Sequence, residues 1–126
     1  MTDMRILVVE DNERNMRLFR DVLEAAGHRT LAATTGERAV QLAGEHAPDL
    51  VLMDIQLPDI DGLEALGRIR ADERTRAMPV LALTAQAMEG DRERFLAAGF
   101  DGYLSKPVDI ADLVDTVSRY GRSTAR

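Results

Sequence analysis

The chain contains no cysteine and no tryptophan, and only three Phe and two Tyr. Without cysteine, neither a disulfide framework nor a thiolate metal site can form. So few rings leave little for stacking on nucleic-acid bases. The net charge of −6 also argues against the clustered positive surface that phosphate backbones require. The opening MTDMRILVV is far too short for a signal peptide or a membrane span of about 20 residues, and acids follow at once. These absences lead to the expectation of a cytoplasmic protein with no nucleic-acid or membrane partner. Lysine is also nearly missing. Of 16 basic residues, one is lysine, Lys106 in GYLSKP, and the other 15 are arginine. An ammonium is a compact point charge where a guanidinium is a broad planar fork. The exception suggests a tight anionic pocket.

The 126 residues are 45% hydrophobic and 30% charged, which suits one soluble domain with its own core. RILVV (5–9), DLVLM (49–53) and VLAL (80–83) are short aliphatic runs of the kind buried on both faces of a sheet. TLAAT (30–34) and GYLS (102–105) read as weaker strands. Between them run helical patterns: 13–26, stopped by Gly27; a helix to about 45, opened by Thr34 and Glu37 as a capping box; and one after Asp61 and Glu64 whose face is Leu63, Leu66 and Ile69. A helix over 87–98 closes at Gly99, in an AAG stop like that at 25–27. A last helix follows Asp109 and carries Ile110, Leu113, Val114 and Val117. Five strands alternating with five helices predict an α/β fold, a parallel sheet with helices on both faces. We expect one domain over 1–120 and a short tail, 121–126, with no effector domain. His28 and His46, at helix ends, are expected to face solvent. Met16, Met53, Met78 and Met88 are read as core or loop filler.

The ends of the strands carry the chemistry. RILVV runs into Glu10-Asp11, DLVLM into Asp54, VLAL into Thr84 and GYLS into Lys106. In an open parallel sheet, ligands bind beyond the carboxyl ends of the strands at the topological switch point. Three carboxylates gathered there repel one another unless a cation intervenes. Oxygen-only ligands in a small site favour a hard ion, magnesium above calcium. Magnesium characteristically bridges carboxylates to a phosphoryl group. Lys106 and Thr84 then make sense as a second positive charge and a hydroxyl donor to phosphate oxygens.

With ILVVEDN (6–12), DLVLMDIQLPDIDG (49–62), PVLALTA (79–85) and GYLSKP (102–107) in this order and spacing, the chain resembles a CheY-like response-regulator receiver domain over essentially its whole length. The resemblance implies a flavodoxin-like doubly wound sheet of order 2-1-3-4-5. It implies that Asp54 is the phosphoacceptor, with Mg2+ held by Glu10, Asp11, Asp54 and the backbone carbonyl of Gln56. Thr84 would be the switch hydroxyl, Lys106 the partner of Asp54 and then of phosphate, and Tyr103 the rotating aromatic. Tyr103 packing on helix 4 or 5 as an ordinary half-buried strand residue is an equal alternative. The Lys106–Pro107 bond is expected to be cis. Gln56 and Gln86, two residues beyond Asp54 and Thr84, would flank the path of hydrolytic water, and the small Ala85 would leave the pocket open to a donor.

Three functional classes compete. One is a phosphorelay switch, not an enzyme beyond self-catalysed transfer and slow autodephosphorylation. Another is a haloacid-dehalogenase-type phosphohydrolase, which usually needs an Asp where Gln56 stands and a substrate cap for which there is no room. The third is a docking module acting without phosphorylation, against which the complete set of acids, Thr and Lys argues. The resemblance implies a histidine kinase or histidine phosphotransfer protein as donor and a protein target on the helix 4–strand 5–helix 5 face (about 87–119), in a monomer or weak dimer. DNERNMRLF and MDIQLPDIDG are especially similar to single-domain regulators of the cell-division type. A fragment of a longer regulator or hybrid kinase is the alternative. Helix 1 would dock the kinase, with Asn15, Met16 and Phe19 near its start; Met16 and Phe19 fit a core stripe equally, and Phe19 is more at home in the core.

Overall fold

The computed structural model describes residues 4–85 and 91–124. Five strands, β1 (Arg5–Val9), β2 (Arg29–Ala33), β3 (Leu50–Asp54), β4 (Val80–Thr84) and β5 (Gly102–Ser105), form one parallel sheet of order β2-β1-β3-β4-β5. The helices are α1 (Glu13–Ala25), α2 (Gly36–His46), α3 (Gly62–Ala71), α4 (Asp91–Ala98) and α5 (Ile110–Thr124). The three aliphatic runs became the three central strands, since strands covered on both faces leave no place for polar side chains. The β2 and β5 edges are the partly exposed ones.

Alternation along each strand divides the core in two. Leu7 and Val9, Val51 and Met53, and Val80 and Ala82 face one side, where Leu42, Leu66, Ile69 and Phe95 cover them. Ile6 and Val8, Leu50 and Leu52, and Leu81 and Leu83 face the other, under Phe19, Leu23, Leu113 and Val117. So α2, α3 and α4 pack on one face and α1 and α5 on the other. Both AAG stops hold. Gly27 and Gly99 have φ of 97° and 114°, left-handed backbone that glycine adopts without a Cβ clash. Among the described residues no helix is long and apolar enough to cross a membrane.

Several expectations need correction. The cap of α2 is Thr35, not Thr34: its side chain accepts from the Arg38 amide at 3.1 Å, the reach an N-cap hydroxyl has three residues ahead. His28 is buried, and its Nδ1 accepts the Met4 amide at 3.2 Å; His46 is exposed as expected. Met16 and Phe19 are both in the core, as the core-stripe reading of the two expected, so neither offers a docking surface, while Leu18 is an exposed apolar residue of α1. Ile110 is exposed, because among the described side chains of α5 only Leu113 and Val117 turn fully inward. Helix α5 continues through Thr124, into the segment read as a tail. Asp54 and Thr84 are the last residues of their strands rather than the first of the loops. Gln86, Met88 and the start expected for helix 4 lie outside the described residues.

Candidate functional site

Backbone pairing carries past the strand ends and fixes where the polar residues stand. The Glu10 amide donates to Ala33 O at 3.0 Å, Ile55 to Leu83 O at 3.0 Å, and Lys106 to Thr84 O at 2.7 Å. Glu10, Asp54, Thr84 and Lys106 are thereby held on the outermost rungs of neighbouring strands. In the order β2-β1-β3-β4-β5 the chain leaves β1 toward β2 on one side and leaves β3 toward β4 on the other, so the loops after β1 and β3 part and leave a crevice. All five of the acids, hydroxyl and ammonium read from strand ends meet at this edge.

Glu10, Asp11 and Asp54 each offer a carboxylate oxygen, and these oxygens lie within 4.8 Å of one another. Glu10 and Asp54 are buried and Asp11 is exposed. The lone lysine sits between the buried two: Lys106 Nζ is 2.7 Å from Glu10 Oε1 and 2.9 Å from Asp54 Oδ2. The Gln56 amide donates to Asp54 Oδ1 at 3.1 Å. Both oxygens of Asp54 are therefore fixed. Glu10 Oε2 accepts the Asn12 amide at 3.2 Å, and the same Asn12 caps α1 by accepting from the Asn15 amide at 3.0 Å.

The electrostatics follow from burial and crowding. Burial pushes the Glu10 carboxyl up, Lys106 pulls it down, and the neighbouring Asp54 pushes it up again, so the net shift is upward. Burial alone would lower the Lys106 ammonium, but its hydrogen bonds to Glu10 and Asp54 outweigh this and raise it. Both directions describe an anionic pocket with one cation for more than one buried acid. The donor set fits a hard divalent ion. It is all oxygen, it brings like charges inside 4.8 Å, and its exposed member Asp11 leaves one side to water.

The loop over the site depends on Gly62. A Cβ there would stand 2.5 Å from Asp54 O and 2.9 Å from Ile55 Cα, while its amide donates to Ile55 O at 2.8 Å. Asp59 in the same loop accepts the Gly36 and Glu37 amides at 2.8 and 2.9 Å, anchoring the loop to the start of α2. What desolvation Asp59 suffers acts upward, yet those amides outweigh it and hold its carboxyl at about 2. Sequence reading missed Asn12, Asp59, Gly62 and Arg94; the last lines a small cavity of about 60 Å3 with Asp54, Gln56, Thr84, Phe95 and Lys106. Only Asn12, a capping residue type ahead of a helical pattern, carried a local signal. The Lys106–Pro107 bond is cis. Tyr103 is half-buried, its ring 6.4 Å from that of Phe95 on α4 at a tilt of 56°. Asn15 reaches toward Glu10 Oε1 at 3.5 Å.

Comparison with known proteins matches this arrangement. The family model for the response regulator receiver domain matches residues 6–118. The polar-differentiation response regulator DivK of Brucella ovis is 48% identical over 115 residues, covering 91% of this chain and 94% of that protein. Among solved structures, the receiver domain of a sensor histidine kinase from Pseudomonas aeruginosa PAO1, with a magnesium ion coordinated in the active site cleft, is 40% identical with a TM-score of 0.87, covering 94% of this chain and 98% of that one. The receiver domain of the Francisella response regulator 1452 has a TM-score of 0.91 at 26% identity, covering 97% and 99%. With the crevice, its acids and its lysine in place, the chain belongs to the response regulator receiver domain family, the signalling proteins of two-component phosphorelays.

Proposed function

We propose that Asp54 accepts a phosphoryl group from a phosphohistidine of a histidine kinase or phosphotransfer protein. A carboxylate oxygen of Asp54 forms the new O–P bond while the P–N bond breaks, and the imidazole leaves with the electron pair. The observation that carries this reading is the lysine bridge. The Lys106 ammonium lies 2.9 Å from Asp54 and 2.7 Å from Glu10, so it holds the carboxylate in place and stands ready to pair with transferred oxygens. Phosphoryl transfer asks for such positioning and charge neutralisation more than for covalent help.

Glu10, Asp11, Asp54 and the Gln56 carbonyl would hold Mg2+. Bound there, magnesium offsets charge on the transferring oxygens. The magnesium-bearing Pseudomonas domain supports the choice of ion, and the 48% identical response regulator DivK supports the role. Thr84 would donate its hydroxyl to the acyl phosphate. Ala82 pairs with Tyr103 and Thr84 with Ser105 across β4 and β5, so Tyr103 is the diagonal neighbour of Thr84 on one face of the sheet. Movement of Thr84 toward phosphate frees space that the Tyr103 ring can enter, reshaping the α4–β5–α5 face where a downstream protein would bind. The equilibrium between two conformations is biased by one phosphoryl group.

The test is acetyl phosphate with magnesium, read by intact mass. The wild type should gain one phosphoryl group and Asp54→Asn none; equal modification of both would remove Asp54 from this role. Lys106→Arg, charge kept but shape changed, should be modified yet switch poorly as read by amide NMR of α4 and β5. Wild-type switching in that variant would refute the role given to the lysine.

A further inference from the structure

The cavity of about 60 Å3 beside Asp54 has two cations on its wall, Lys106 and Arg94. Lys106 is already bonded to Glu10 and Asp54. Arg94, in the first turn of α4, is held differently. Its guanidinium carbon lies 5.0 Å from the centre of the Phe95 ring, and its Nη2 is 3.5 Å from Asp91, in a side chain 60% exposed. A long, solvent-facing pair of this kind contributes little and exchanges readily. Phosphorylation replaces a carboxylate of charge −1 by a phosphoryl group of charge near −2. The site thus gains about one negative charge whatever else is bound there. A guanidinium fork matches phosphoryl oxygens, two N–H groups to two oxygens, as an ammonium does not.

We infer that Arg94 is a second phosphoryl ligand, exchanging Asp91 for the phosphoryl oxygens once Asp54 is modified; this rests on Asp54 being the phosphoacceptor. The exchange ties the first turn of α4 to the site. It also draws a cation off the face of Phe95, the ring that Tyr103 packs against at 6.4 Å. Helix and aromatic are then moved by one event.

Beryllium fluoride with magnesium serves as the phosphoryl probe, titrated into wild type, Arg94→Ala, Arg94→Lys and Asp54→Asn and followed by NMR. Arg94→Ala should lose about fivefold in apparent affinity for the probe, the scale of one solvent-facing ion pair, with magnesium affinity in its absence unchanged. Arg94→Lys should recover part of the loss, and the Arg94 Nε–Hε resonance of the wild type should move on saturation. Equal affinities of wild type and Arg94→Ala, or an unmoved Nε–Hε resonance in a wild type that binds, would overturn the inference and leave Asp54 in its role. No binding by the wild type would bring down both. The wild-type resonance needs no variant, so a misfolded Arg94→Ala does not shield the inference.

Discussion

Lys106→Met is the most informative single perturbation, because methionine keeps the apolar stem and deletes only the charge. In the folded protein Glu10 is 1% exposed and the Asp54 side chain 6%, and one ammonium serves both at 2.7 and 2.9 Å. Removing one partner of a buried pair typically costs about 3–5 kcal/mol. Since Lys106 is 19% exposed, the low end, about 3 kcal/mol, applies. Coulomb repulsion gives the same scale: two carboxylate oxygens within 4.8 Å at an effective dielectric of about 20 repel by about 3 kcal/mol. For a domain of this size that corresponds to a fall in Tm of about 10 °C. The pH dependence identifies the cause. The Glu10 carboxyl is raised by burial in the wild type and would be raised further without Lys106. A raised acid favours the folded state below its folded pKa and penalises it as pH climbs through that value. Lys106 itself is raised, so its contribution is lost only above the ordinary lysine range. The deficit of Lys106→Met should therefore be full at pH 8 and shrink toward pH 5, as Glu10 takes a proton and the repulsion ends. Urea unfolding in EDTA at both values measures it, and magnesium at pH 8 should narrow the gap. A deficit independent of pH, or a variant as stable as wild type in EDTA at pH 8, would refute the argument that Lys106 neutralises buried acids.

Other outcomes follow from the same crevice and the loop over it. Asp11→Asn removes the exposed member of the crowded acids, so without metal it should stabilise the protein by about 1 kcal/mol, and magnesium should no longer raise its Tm. Gly62→Ala drives a methyl to 2.5 Å from the Asp54 carbonyl. Overpacking against backbone costs about 1–3 kcal/mol, and phosphorylation by acetyl phosphate should slow in step because the displaced strand end carries Asp54. Asp59, held at about 2 against an ordinary value near 3.9, stabilises the folded state above that ordinary value and loses its effect as pH falls through about 2. Asp59→Asn should therefore lower Tm at pH 7 and flatten its decline between pH 4 and pH 2; parallel curves would sink the assignment.

How much of this was legible in the sequence depends on what each residue must satisfy. The strands β1, β3 and β4 could be read directly, because burial on both faces requires unbroken aliphatic runs. Glu10, Asp11, Asp54, Thr84 and Lys106 were legible for a related reason, since a parallel sheet delivers every strand end to one edge. The failures share a different cause. His28 looked like a solvent-facing helix end, and it is buried because its Nδ1 meets the Met4 amide, 24 residues away. Asp59 drew no reading of its own, and it anchors Gly36 across 23 residues. Arg94 stands in a helix rich in both charges, DRERFLAA, which reads as a solvated face; nothing local marks the one arginine that lines the Asp54 cavity. Thr34 and Thr35 are the same residue type side by side, and only a difference of one position in reach selected the cap. Periodicity tells which face a side chain is on, but not what stands opposite it. Tyr103 marks that boundary well. The ring rests on Phe95 of α4, which is the packing reading, and it stands diagonal to Thr84 across β4 and β5, which is the position the proposed switch requires. If Asp54 is phosphorylated as proposed, the two readings would be successive positions of one side chain.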